Sequence, residues 1–345
     1  MQNSPRLLLI DILQRLATVK IRAVGLSHPT MPAVRLLQFF KVMRTDERFD
    51  WKFPFKALVF LVMHPLLSAD WLRYLSHADM TWLWQHEPRL IDKPLRPYLN
   101  ARWTPAARIE ALRCHYDWLL LRFRSEALDH FYSTEHPELA HWSLPGSTTR
   151  VTLKMGYCGS FEREGDLTIS LHVDPDGEQS IKQVPLLALT LGVVQVNGLP
   201  SLCIGCVQAR NDPDTRERLA LLTKAHFGLR PKSLLVQMAQ FLAVRWNLPL
   251  FGIDPKAHPF TSTRYQLSAR KRQSMQLIGN SYQGLWADFN GLPEPGGWMR
   301  LPEQRQDRAA RQIPTRKRSM YAKRALLMEQ IERLASTNLD GWERS

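Results

Sequence analysis

Cysteine is scarce in this chain. Four residues in 345, Cys114, Cys158, Cys203 and Cys206, cannot staple a chain of this length, so a disulfide framework is excluded and a reducing cytoplasm is the expected setting. Long apolar runs are missing as well. The longest, residues 57–69, is interrupted by His64 and Pro65 and is too short to cross a hydrocarbon layer of about 30 Å as a helix. Near the N-terminus, the run Leu7 to Ile10 is followed by Asp11, Gln14 and Arg15 with no small-residue cleavage site, so it is not read as a secretion signal. Walker A, GxGxxG and GxSxG patterns are absent, which removes the main support for nucleotide folds and for a serine-hydrolase elbow. There is no internal repeat and no low-complexity tract. Acidic residues are the minority charge: 32 Asp and Glu against 46 Lys and Arg give +14. That balance points to an anionic partner, whether nucleic acid, lipid headgroup or phosphate-bearing ligand.

What is present divides into two styles. Residues 1–145 read as mainly helical. Helices are expected from Ser4-Pro5 to about Val24, over Met31 to Met43, and from Thr104-Pro105 to about Tyr132, where Ile109, Leu112, Tyr116, Leu119 and Phe123 keep a spacing of three to four. After the breaks at Pro137, Pro145 and Gly146 the pattern changes to alternation. Strands are expected at Val151 to Tyr157, Leu167 to Val173, Leu186 to Val196 and Leu202 to Gln208. Asp174-Pro-Asp-Gly and Asn197-Gly198 act as hairpin turns. Helices at Asp214 to His226 and Pro231 to Trp246 follow, then a short strand near Leu250 and a helix near Gly284 to Phe289. A basic amphipathic helix from Arg316 to Ala335 closes the chain. The expected class is α+β: a helical region over 1–145, then residues 146–345 as a mainly antiparallel sheet with flanking helices and a basic C-terminal helix.

Two stretches carry the strongest chemical hints. In His226-Phe-Gly-Leu-Arg-Pro-Lys-Ser, a turn at Gly228 with Arg230 and Lys232 leads into a helix at Pro231. Unpaired backbone N–H groups at a helix start, with two cations beside them, suit a phosphate or carboxylate. Gly228, Arg230, Lys232 and Ser233 are therefore candidate anion-binding residues, set against the plainer reading of a capped helix with solvated cations. The second stretch lies in residues 300–333, which hold ten Lys or Arg and four Asp or Glu. There Arg316, Lys317, Arg318, Tyr321, Lys323 and Arg324 form a basic face with an interleaved aromatic, suited to anionic lipid or an acidic partner. Cys203-Ile-Gly-Cys206 has CxxC spacing but no second ligand pair and sits in a strand pattern, so two ordinary buried cysteines are expected. His226, His258 and Tyr282 are candidate proton carriers should the chain be an enzyme.

At these motifs the sequence resembles the VirK/YbjX family of Gram-negative bacteria. The likeness runs from about residue 35 to 335. It is carried by Arg96-Pro-Tyr-Leu, Arg108, Leu112, His115-Tyr116, Gly205-Cys-Val-Gln208, Thr223-Lys224, Gly228-Leu-Arg-Pro-Lys232, His258-Pro259, Tyr282 with Leu285-Trp286, Leu301-Pro302 and Ile313-Pro-Thr-Arg-Lys-Arg through Tyr321. Leu285 stands where the family pattern has Phe, and Ala322-Lys323 replaces a more uniformly Arg-rich run. The resemblance implies a cytoplasmic protein linked to the cell envelope, to surface display of virulence proteins and to tolerance of cationic antimicrobial peptides. It implies no defined reaction.

Two functions follow. In the first, the chain is a non-catalytic factor that docks on anionic lipid at the inner membrane or on an acidic protein through the basic helix. In the second it is an acyltransferase. The order of antiparallel strands, basic turn, helix from Pro231 and strand at Leu250 looks like the cofactor half of the N-acetyltransferase (GNAT) fold, with acyl-CoA or an acyl-carrier protein as donor. Against that, the usual glycine-rich loop is replaced by Gly228-Leu-Arg-Pro-Lys232, and a whole helix intervenes. Nucleic-acid binding ranks third, because the charge permits it but no recognised module is present.

Overall fold

Asn197 and Gly198 adopt left-handed backbone, φ 51° and 79°, and close a tight hairpin, the connection that a right-twisted strand pair favours. The two strands it joins, β4 (Leu187–Val196) and β5 (Leu199–Ala209), are the longest of a sheet that organises the second half of the chain. The structure, a computed structural model, describes residues 59–174, 184–210, 212–262, 281–305 and 314–344. The helices expected over Ser4 to Val24 and Met31 to Met43, and the turn following Asp174, lie outside the described residues.

Backbone contacts divide the chain into two units, and residues 110–145 group with the sheet. The first unit contains α1 (Pro65–Leu75) and α2 (Thr81–His86). Pro65 occupies the first turn of α1, where its missing N–H costs nothing. Trp71 is fully buried and donates its indole N–H to the Leu90 carbonyl at 2.9 Å. Arg108 donates to the Pro94 carbonyl at 3.0 Å.

The second unit is built on an eight-stranded sheet. Its order is β1-β2-β3-β4-β5-β6-β8-β7, with β1 Glu138–Ser143, β2 Arg150–Gly156, β3 Leu167–Asp174, β6 Leu250–Ile253, β7 Leu292–Glu294 and β8 Trp298–Leu301. Neighbours run antiparallel except β5 and β6, which pair parallel over Leu202–Ile204 and Leu250–Gly252. A parallel pair needs a long crossover. Here it is supplied by α5 (Thr215–Ala225) and α6 (Pro231–Trp246). Thr190 pairs with Cys206 and Leu191 with Ile204, so Gly205 is a bulge on β5. A Cβ there would strike the Glu164 carbonyl, which is why the bulged residue has no side chain.

Helices pack on this sheet by the apolar positions that the sequence displays. α6 buries Leu234, Leu235, Met238, Leu242 and Ala243 over β4, β5 and β6. At about 1.5–3 kcal/mol for each large side chain removed from water, this one helix anchors much of the unit. The predicted helix from Pro105 to Tyr132 is in fact two: α3 (Pro105–Arg122) and α4 (Ser125–Phe131). It breaks because Phe123 bridges to Glu343 and the Arg124 N–H is drawn to the Trp342 carbonyl at 2.9 Å. The terminal helix α7 spans Thr315–Trp342, longer than its basic stretch, and packs on β1 and α6. Strand β1 lies inside the region expected to be helical, and β7 and β8 went unforeseen. All three are short, at six, three and four residues, and periodicity over so few positions is weak.

Candidate functional site

The two basic stretches, about 90 residues apart in sequence, meet. After α5 the chain passes through Phe227 and Gly228, both left-handed at φ 53° and 78°. Gly228 N–H returns to the Thr223 carbonyl at 2.8 Å, and Leu229 N–H to the His226 carbonyl at 2.9 Å. A left-handed glycine after a helix end is the standard stop. The turn is then clamped from the side of α7. Arg324 donates Nη2 to the Phe227 carbonyl at 3.1 Å and lies over the Tyr321 ring, 4.7 Å from its centroid. Lys323 Nζ stands 5.7 Å from the Phe227 ring centroid. A Cβ at Gly228 would come within 3.1 Å of Arg324 Nη2. Glycine therefore serves twice here, for its φ and for the approach of the guanidinium.

Beyond the turn, Arg230 caps α6 in an extended conformation and Pro231 takes the first helical position, with no side chain capping the helix. The N–H groups at the start of α6 are thus left for a ligand or solvent. They open on a pocket of about 360 Å³ lined by Gly228, Arg230, Ser233, Tyr321, Arg324 and, on the far wall, Asp288 and Arg305. Arg230 and Asp288 are 3.4 Å apart with exposed side chains, a pair worth well under about 1 kcal/mol and easily exchanged for an anion. Such a pocket can hold a phosphate or carboxylate by helix N–H groups and guanidinium hydrogen bonds.

Of the other predicted residues, Lys232 is turned away to donate Nζ to Ser281 Oγ at 2.9 Å, and burial lowers its pKa. Arg316, Lys317 and Arg318 are exposed on the first turns of α7 and do not line the pocket. The candidate proton carriers are all closed off. His226 has no exposed surface, accepts from the Trp142 indole at 3.2 Å, and is held by burial at a pKa of about 4. His258 accepts from the Phe260 N–H at 3.3 Å, and burial takes it to about 4 also. Tyr282 is 1% exposed, accepts the Val207 N–H at 3.0 Å, and burial raises its pKa well above the ordinary value. None of the three lines the pocket. Cys203 and Cys206 are both fully buried in β5.

Several residues of the stretches that carry the family resemblance act as internal pins. His115 Nδ1 accepts the Val193 N–H at 3.1 Å, and Tyr116 donates to Asp166 at 3.1 Å. Trp286 donates to the Ile253 carbonyl at 2.9 Å, against Gly252. The sequence reading overlooked Gln237, Gln240, Asp288 and Arg305. A signal existed for the glutamines: Ser233, Gln237 and Gln240 put a polar line, at spacings of four and three, on a helix that apart from Lys232 and Arg245 is apolar.

With this geometry in view, comparison with known proteins is informative about kinship. Residues 46–336 match the model of the family described as "Protein of unknown function (DUF535)", and the chain belongs to that family. It is similar to the uncharacterized protein YbjX of Escherichia coli K12, 28% identical over 296 residues, which is 85% of this chain and 84% of that one. An uncharacterized protein of Haemophilus influenzae is 32% identical over 130 residues, 38% of this chain and 41% of the relative. No solved structure matches.

Proposed function

We propose that this DUF535 protein is a peripheral docking factor that binds a phosphate-bearing headgroup on an anionic membrane surface. One observation carries the reading: the Gly228 turn and the basic helix α7 meet in a single polar pocket, with Arg324 bonded to the turn itself. The uncapped start of α6 and the guanidinium groups of Arg230 and Arg324 would take the phosphate. Exposed Arg316, Lys317 and Arg318 would face the surrounding surface, each adding about 1 kcal/mol near an anionic leaflet. No described helix is long and apolar enough to cross a membrane, so attachment through those helices would be peripheral. The VirK/YbjX likeness supplies the setting: the cytoplasmic face of the inner membrane, in support of virulence-protein display and antimicrobial-peptide tolerance. Co-sedimentation with vesicles containing phosphatidylglycerol tests the docking step. Retention should weaken with salt and be lost in the Arg316→Ala/Lys317→Ala/Arg318→Ala variant. Equal retention on neutral phosphatidylcholine vesicles overturns it.

A second reading, a GNAT-like acyltransferase with an acyl-CoA or acyl-carrier donor, is favoured by the sheet. From β2 onward there are four antiparallel strands, one parallel pair around α6, a bulge at Gly205, and β8 inserted between β6 and β7. The space where β5 and β6 part is taken by Tyr282 on Val207 and by Trp286 on Gly252, and a donor arm would have to displace them. A rise in unfolding temperature with acyl-CoA, abolished in Arg230→Ala/Lys232→Ala, would favour this reading over docking.

A further inference from the structure

The pocket at the start of α6 is the head of a longer groove. A recess of about 230 Å³ shares Gln237, Gln240 and Arg305 with it. A third, of about 870 Å³, shares Val244 and the wall of residues 303–305 with the second and runs out among Leu199, Leu248 and Pro249. Together they follow one face of α6 from Ser233 to Asn247, roughly 20 Å at 1.5 Å per residue.

The two ends differ in chemistry. At the head stand Arg230, Arg324 and the open N–H groups of α6. At the foot, Leu199 and Val244 remain 60% and 53% exposed beside Pro200, Leu248 and Pro249. Apolar side chains left in water gain free energy when an apolar ligand covers them. Between the ends lies Gln240, which is 3% exposed and lines both upper sections. Its Nε2 donates to the Pro302 carbonyl at 2.7 Å, while Oε1 has no donor; Gln237 Oε1 likewise has none. A buried acceptor without a donor costs about 1–3 kcal/mol, which a ligand hydroxyl at this depth would relieve after a small rotation of the amide.

We propose that this groove binds a single-chain phospholipid, a lysophospholipid in chemistry. Its phosphate lies at the start of α6 within reach of Arg230 and Arg324, its glycerol hydroxyl meets the glutamines, and its acyl chain runs over Val244 to Leu199 and Leu248. The choice of an anionic lipid rests on the docking reading above. The match of cation, acceptor and apolar surface in that order along α6 is independent of it. A single groove accommodates one chain, and a second would remain in water, so the monoacyl form is the occupant.

Isothermal titration of the full chain tests the assignment with three probes: dodecanoyl lysophosphatidylglycerol below its micellar concentration, glycerol 3-phosphate for the head alone, and monododecanoylglycerol for the tail alone. The lysolipid should bind at least about tenfold more tightly than either fragment. Val244→Asp, an exposed position that leaves the core intact, should weaken the lysolipid by about tenfold and leave glycerol 3-phosphate unchanged. Arg230→Ala should weaken both phosphate-bearing probes. A lysolipid that binds no better than glycerol 3-phosphate, or one indifferent to Val244→Asp, overturns the proposal. In the wild-type chain the two ideas fail separately: vesicle retention without lysolipid binding removes the groove alone, and lysolipid binding without vesicle retention removes membrane docking and leaves the groove. The Arg316→Ala/Lys317→Ala/Arg318→Ala variant, whose changes lie outside the groove, should lose the vesicles and keep the lysolipid.

Discussion

The two ends of α7 contrast sharply. At its C-terminal end, Glu343 is 7% exposed and its carboxylate accepts from Arg122 at 3.1 Å, from Arg245 at 2.9 Å through two nitrogens, and from the Trp246 indole at 2.8 Å. Arg245 also reaches Asp340 at 2.7 Å and Ser336 at 2.9 Å. At the N-terminal end, Arg316, Lys317 and Arg318 stand in water, and Arg324 holds only the rim of a pocket. One helix thus carries charge in two ways. Buried charge is matched by several hydrogen bonds and fixes the chain end; exposed charge stays in contact with water. The same residue types serve stability or recognition according to how much water they retain.

Breaking the first end gives the largest expected effect. Glu343→Ala leaves Arg122, Arg245 and Trp246 without their shared acceptor, and removal of one partner from a buried pair costs about 3–5 kcal/mol. The urea midpoint should fall accordingly, with Glu343→Gln falling less.

A second expectation concerns the core between those ends. His172, His226 and His258 are each pushed by burial to about 4 from an ordinary 6.5. In the unfolded chain they bind protons below 6.5, and in the folded protein only below about 4. The native state is therefore fully favoured above pH 6.5 and loses ground as pH falls through that window, by about 1.4 kcal/mol per unit for each histidine. Urea titrations at pH 7, 6 and 5 should show the decline, and His226→Gln should make it shallower.

Glu164 has the opposite sign. Burial raises it from 4.5 to about 8, so its contribution is complete below pH 4.5 and is lost as pH rises toward 8. Glu164→Gln should gain on the wild type as pH increases, by about 1.4 kcal/mol per unit within that range. Parallel pH profiles of the two proteins would reveal a flat difference if Glu164 titrated normally.

The smallest effect belongs at the exposed end. Neutralising Arg316, Lys317 and Arg318 should change unfolding free energy by no more than about 0.5 kcal/mol while abolishing vesicle retention. A large loss of stability there would erase the distinction between the two ends of α7.

Much of this was legible beforehand, for identifiable reasons. Asn197-Gly198 specified its hairpin because few pairs accept left-handed backbone at both positions. Pro231 marked the first residue of α6 because a missing N–H is free only there. The four long strands and the turn before α6 were read from alternation and from Gly228. What escaped was non-local. The break at Phe123 depends on Trp342 and Glu343, more than 200 residues later. The burial of His226 and Tyr282 depends on Trp142 and Val207, 84 and 75 residues away, which no local window associates with them. Gln237 and Gln240 were visible as a polar line, but that they floor a groove depends on residues 302–305.

The sequence by itself determined the α+β class, the hairpin, the boundaries of α6, the excess of positive charge and the two basic stretches, because each follows from backbone sterics, hydrogen-bonding capacity or composition within a few residues. Only the tertiary structure decided that the turn at Gly228 and the helix of Arg324 share one pocket, that the pocket continues along α6, and that the histidines are sealed from it. Those outcomes depend on which surfaces lose their water together, and desolvation is a property of the packed chain.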